Sequence, residues 1–182
     1  GIRPVFRHAA KVDLLLGADL LEPEVKKQLR DRFIYLAYLL TDSMFMANKY
    51  NAGHPNFDAD RYIAIAAVGM SQGEHGFHLH TTGTCTAPDF TSAGGHLNPG
   101  MATHGSMSPG GKHLGDMPNL TIGANRTGST EVQLDGNARD VLEDIFDADD
   151  TAVVIHAGPD DYRSDPAGDA GARVACGVLK RA

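Results

Sequence analysis

Seven of the nine histidines lie between residues 75 and 156, in a stretch where short apolar runs alternate with segments rich in Gly, Pro, Asn, Ser and Thr. This feature narrows the fold more than any other. Runs such as Phe77–Leu79, Glu131–Leu134 and Ala152–His156 read as strands separated by long loops, the pattern of an all-β sandwich or barrel. The 21 glycines and the absence of Trp suit a loop-rich architecture.

The remaining bounds are broad. The chain has 182 residues, enough for one domain with a real core and an appendage. The 42% apolar and 21% charged content are those of a globular protein. The longest apolar stretches, near Ile34–Leu40 and Ile63–Met70, are too short for a membrane span. A net charge of −7 argues against a nucleic-acid footprint. The opening Gly1-Ile2, with no basic-then-apolar leader, fits a processed chain or a fragment. Cys85 and Cys176 fit either one long-range disulfide in an oxidising compartment or two quiet thiols.

Residues 10–50 carry helix signals. Pro23 suits a first helical turn, with acids early and bases after it. Apolar residues recur close to a helical period at Val25, Leu29, Phe33, Tyr35, Leu36, Leu39, Leu40 and Met44, and Gly53 and Pro55 supply a stop. Tyr62–Met70 fits a strand by its Ile63/Ile65 alternation and a helix by its alanines. The texture changes abruptly near residues 70–73, which divides the chain into a helical segment over 1–72 and a β domain over 73–182.

His78-Leu79-His80 places two imidazoles on one face if the segment is a strand. His96, His104 and His113 follow with Asp116, in a Gly-rich loop with little else to bury, and three imidazoles with a carboxylate suit a closed tetrahedral zinc site. His156 closes the β-branched run Val153-Val154-Ile155, at a strand end. Taken singly, the H-x-H pair and the loop histidines read more simply as structural or exposed polar residues, and His156 equally well as a satisfied core group; the ordered set does not. A cupin-type centre also uses H-x-H, but no Glu follows at cupin spacing.

With these residues in view, the chain resembles the copper/zinc superoxide dismutases of the bacterial branch. The resemblance rests on Gly76-Phe77-His78-Leu79-His80, Cys85, Gly95-His96-Leu97-Asn98-Pro99, His104-Gly105, His113-Leu114-Gly115-Asp116, His156-Ala157-Gly158-Pro159-Asp160 and Gly171-Ala172-Arg173-Val174-Ala175-Cys176-Gly177. It implies copper ligands His78, His80, His96 and His156, and zinc ligands His96, His104, His113 and Asp116, with His96 bridging the two ions. It implies that copper cycles between Cu(II) and Cu(I) while superoxide becomes dioxygen and hydrogen peroxide. His96 and Arg173 are then the catalytic residues, with Arg173 drawing in the anion. Asp160 links a copper-ligand imidazole to a zinc-ligand imidazole, and His75 is a structural hydrogen-bonder. The resemblance further implies a Cys85–Cys176 disulfide, a periplasmic or extracellular setting, and scope for a homodimer. Nothing in it matches His8 or His54. The alternative is a copper- and zinc-binding module without turnover.

The expected fold is a Greek-key β-sandwich or barrel of the superoxide dismutase type. Three strands normally precede the H-x-H strand, and a helix-patterned segment holds that place here. The fold is therefore expected to lack its first two strands, with helices or a second subunit covering the sheet edge, or with two unrelated segments joined.

Overall fold

The computed structural model describes residues 9–16, 35–40 and 62–179. Nine strands, one α-helix and a 3-10 turn at Thr91–Ala93 account for the regular structure among them. The strands and the helix are β1 (Ala9–Leu16), β2 (Tyr35–Leu40), β3 (Tyr62–Val68), β4 (Gly73–His75), β5 (Phe77–His80), β6 (Leu120–Ile122), β7 (Thr127–Gln133), α1 (Ala138–Ile145), β8 (Ala152–His156) and β9 (Arg173–Val178).

The strands form an antiparallel seven-stranded sheet in the order β5-β8-β9-β1-β2-β3-β7 and a two-stranded sheet, β4-β6. The hydrogen-bonded ladder does not close into a barrel among the described residues; β6 instead packs beside β7. The mainly β fold is as the sequence predicts. Strands from both sides of residue 73 share the large sheet.

The amino-terminal expectation needs correction. Two of its segments are strands: Ala9–Leu16 pairs with β2 and β9, and Tyr35–Leu40 pairs with β1 and β3. The first two strands are therefore present. A run such as Tyr35-Leu36-Ala37-Tyr38-Leu39-Leu40 is apolar at nearly every position, so it satisfies a helical and a strand period alike. Pairing on both edges decides between them. Tyr62–Met70, left open by sequence, is strand through Val68. The Pro23 segment, the stop near Gly53 and Pro55, His8 and His54 lie outside the described residues.

Strand alternation sorts the core from the site. On β5, Phe77 and Leu79 are fully buried in the main apolar cluster, and His78 and His80 take the intervening positions. On β8, Val153 and Ile155 join the same cluster, while Ala152 and Val154 pack in a second with Cys85, Phe90, Ala93 and Cys176. β8 is buried at all five positions, as its place between β5 and β9 requires. Each large apolar side chain removed from water here contributes about 1.5–3 kcal/mol. These buried strands hold the imidazoles rigidly.

The helix α1 was not expected from sequence. Asn137 caps it by accepting the Asp140 N–H at 3.1 Å, and Val141 and Ile145, four apart, are its buried positions.

Candidate metal centre

The loop after β5 folds back onto that strand. Leu79 N–H donates to Gly115 O at 3.0 Å, Leu97 N–H to Leu79 O at 2.8 Å, and Gly115 N–H to Leu97 O at 2.9 Å. Bridges pair His78 with Asp116 and His80 with His96. Residues distant in sequence thereby meet on the His78/His80 face, and β8 delivers His156 beside them.

Two sets of potential ligand atoms result, with His96 common to both: His78, His80, His96 and His156, and His96, His104, His113 and Asp116. Within each set one ligand atom per residue lies within 4.8 Å of the others, and every member is buried.

In the all-imidazole set, one nitrogen of each of three rings is already held. His78 Nε2–H donates to Asp160 Oδ2 at 2.8 Å, and His80 Nδ1–H and His156 Nδ1–H donate to Gly94 O and Gly171 O, each at 3.0 Å. The opposite nitrogens, His78 Nδ1, His80 Nε2 and His156 Nε2, are buried with no hydrogen-bond partner, as is His96 Nε2. Four orphaned buried acceptors converging on one point are costly unless a cation satisfies them. Burial also pushes the imidazoles down, to about 3 for His78, about 2 for His80 and about 4 for His156, so they are neutral and free to ligate.

The second set is tighter. Asp116 Oδ1 lies 2.8 Å from His96 Nδ1, 3.0 Å from His104 Nδ1 and 3.2 Å from His113 Nδ1, and the His96 and His113 Nδ1 atoms are 3.4 Å apart. A tetrahedral zinc with ligand bonds of about 2.0–2.1 Å has edges of about 3.3 Å. The donor set therefore fits that ion in both size and chemistry. Asp116 Oδ2 faces away and accepts the Gly105 and His113 N–H groups at 2.8 and 3.0 Å. Burial opposes ionisation of Asp116, but the His96, Gly105 and His113 hydrogen bonds outweigh it and hold the carboxyl well below its usual range.

Asp160 ties the two sets together. Its Oδ2 accepts from His78 and its Oδ1 accepts from His104 Nε2–H at 3.0 Å. Burial raises its pKa, yet the hydrogen bonds from His78, His104 and the Tyr162 N–H prevail and keep it at about 2.

Arg173 sits half-buried at the rim of an open cleft of about 540 Å³, which His80, His96 and His156 also line. Its two terminal nitrogens donate to Phe90 O and Gly94 O, each at 2.7 Å. Cys85 and Cys176 form the disulfide, with Cα atoms 5.7 Å apart and a separation of 91 residues. It clamps the segment that supplies both carbonyls to β9.

The copper/zinc superoxide dismutase family model matches residues 52–179. The chain belongs to that family. A superoxide dismutase (Cu-Zn) 1 of Aquifex aeolicus is 48% identical over 111 residues, covering 59% of this chain and 64% of that protein. A superoxide dismutase (Cu-Zn) of Caulobacter vibrioides is 42% identical over 125 residues, 65% of this chain and 70% of its own length. The chain thus spans just under two thirds of the Aquifex relative. The crystal structure of a SOD-like protein from Bacillus subtilis is similar with a TM-score of 0.67 at 30% identity, covering 93% of this chain and 97% of that one. Copper and zinc are the family's cofactors, and both donor sets fit them.

The structure brings all the expected ligand residues together. His75 stays outside both sets: its Nδ1–H donates to His156 O at 2.7 Å, and its Nε2 is 3.2 Å from the Ser71 hydroxyl. Three supports of Asp160 carry no signal in the sequence. Asn119 brackets its backbone, accepting its N–H at 2.8 Å and donating to its carbonyl at 3.0 Å. Tyr162 N–H donates to its Oδ1 at 2.7 Å, and the Tyr162 hydroxyl accepts the Asn119 N–H at 2.8 Å. Gly168, with φ of +66°, passes so close that any Cβ would strike the Asp160 carboxylate and His104 Nε2. No local pattern around Asn119 or Gly168 marks such a role.

Proposed function

We propose that the chain dismutes superoxide, turning two superoxide ions and two protons into dioxygen and hydrogen peroxide. The observation that carries this is the shared imidazole. His96 places Nδ1 in the carboxylate-containing set and leaves Nε2 orphaned toward the all-imidazole set, beside an open cleft rimmed by Arg173.

We assign His78, His80, His96 and His156 to copper, and His96, His104, His113 and Asp116 to zinc. Neutral imidazoles serve a redox-active ion, and a carboxylate suits redox-inert zinc. Copper held by the first set would supply one-electron chemistry, and zinc held by the second a fixed positive charge beside the shared His96. The residues do the rest. Arg173 spends two N–H groups on the Phe90 and Gly94 carbonyls and presents its remaining charge to an incoming anion. A local positive focus is needed because the net charge of −7 repels superoxide; superoxide dismutases are themselves a known instance of such electrostatic steering. His96 Nε2 is the atom placed to take up a proton and return it to the reduced product at the cleft. Residues 73–182 hold the whole centre, and residues 1–72 contribute strands to its scaffold. The disulfide supports a periplasmic or extracellular compartment.

Competition with cytochrome c for superoxide, on copper- and zinc-loaded protein with free-copper controls, tests this. A rate no higher than the controls defeats it.

A further inference from the structure

In the second set each imidazole turns Nδ1 toward Asp116 Oδ1 and would ligate through it, so each carries its second nitrogen outward. Two of these outer nitrogens are accounted for. His96 Nε2, without a hydrogen bond, is left for the copper set, and His104 Nε2–H donates to Asp160 at 3.0 Å. His113 Nε2 makes no hydrogen bond to the described residues; the carboxylate facing it is Asp165, with Oδ1 4.0 Å away. The same Oδ1 accepts the His104 backbone N–H at 2.8 Å. Asp165 therefore touches the main chain of one zinc ligand and faces the ring of another. It is 59% exposed and lines the cleft that Arg173 rims.

We propose that Asp165 is a positioning residue for the zinc half of the centre. It anchors the His104 segment by a hydrogen bond, and its charge opposes the outer N–H of His113, which becomes more positive once Nδ1 binds zinc. A carboxylate behind a ligand imidazole raises the ring's basicity and fixes its orientation. At 4.0 Å the pairing is electrostatic, or relayed through one water. A carboxylate at the entrance is otherwise unfavourable for an enzyme of an anion, because it opposes Arg173 across the same opening. Its presence there follows if zinc needs it. This rests on the assignment of the second set to zinc.

Asp165→Asn separates charge from anchoring, since the amide oxygen still accepts the His104 N–H. Titration of the 182-residue, disulfide-intact, metal-free chain with Zn(II) against a chromophoric chelator should show affinity falling about tenfold. Co(II) placed in the same site should show shifted visible bands, and Asp165→Glu should recover most of the loss. Copper affinity should stay within about twofold of the unmodified chain. Unchanged zinc affinity and an unchanged Co(II) spectrum in Asp165→Asn overturn the proposal, as does an equal loss of copper and zinc, which would indicate general loosening. Because these readings need no turnover, an inactive protein that binds zinc normally would defeat the proposed function and leave this inference standing.

Discussion

His80 and Arg173 donate to the same oxygen, the Gly94 carbonyl, at 3.0 and 2.7 Å. One peptide group thus orients a ring of the all-imidazole set and the cation that faces the cleft. Replacing Arg173 with Ala leaves His80 its acceptor, so copper and zinc content should be unchanged. Loss of the local positive focus should lower kcat/KM for superoxide by about tenfold to a hundredfold. The salt dependence of the rate should weaken as well. Elemental analysis with stopped-flow kinetics at several ionic strengths checks this, and an unchanged rate would show that Arg173 does not act on the anion.

Asp160 accepts from His78 on one oxygen and from His104 on the other. Asp160→Asn keeps one acceptor and turns an N–H toward the second ring. Zinc affinity should fall by about tenfold to a hundredfold, read by chelator competition on the folded protein.

Gly168 has no room for a side chain against that carboxylate, and its φ of +66° disfavours one in any case. Gly168→Ala should destabilise the metal-free protein by about 1–3 kcal/mol and displace Asp160. Urea unfolding and zinc content together report both effects. A variant as stable as its parent, with full zinc, would show that the loop adjusts freely.

The Cys85–Cys176 link closes 91 residues. Replacing both cysteines with Ala should cost about 4–5 kcal/mol of stability on loop-closure grounds. It should also reduce activity, because the segment holding the Phe90 and Gly94 carbonyls is released from β9. Chemical unfolding and kinetics of the double variant measure the two losses separately.

Acid should destabilise the metal-free protein well before its carboxylates titrate. Burial lowers His78, His80 and His156 from 6.5 to about 3, 2 and 4, so the unfolded chain takes protons first as the pH falls. Their contribution is complete above about pH 6.5 and is lost as the pH drops through about 4 toward 2. Within that window each group contributes a slope of up to about 1.4 kcal/mol per pH unit. Urea midpoints measured between about pH 7 and 4 on metal-free protein should decline steadily, and a flat profile would mean that the rings are protonated when folded.

The ligand residues were legible in the sequence because their identity is local chemistry. H-x-H on a strand, a Gly-rich loop carrying His96, His104, His113 and Asp116, and a β-branched run ending at His156 are patterns that need no partner to be recognised. Arg173 and Asp160 were legible only through their neighbours in the family pattern. The first two strands were not, since Tyr35–Leu40 is apolar throughout and suits helix and strand alike until β1 and β3 pair with it. Nor were Asn119, Gly168 or Asp165, whose roles consist of hydrogen bonds and close approaches to residues far along the chain. Residue type settled which atoms can bind metal. Register and loop closure, which depend on pairing between distant segments, decided that His96 would stand between the two sets and which groups would hold the others still.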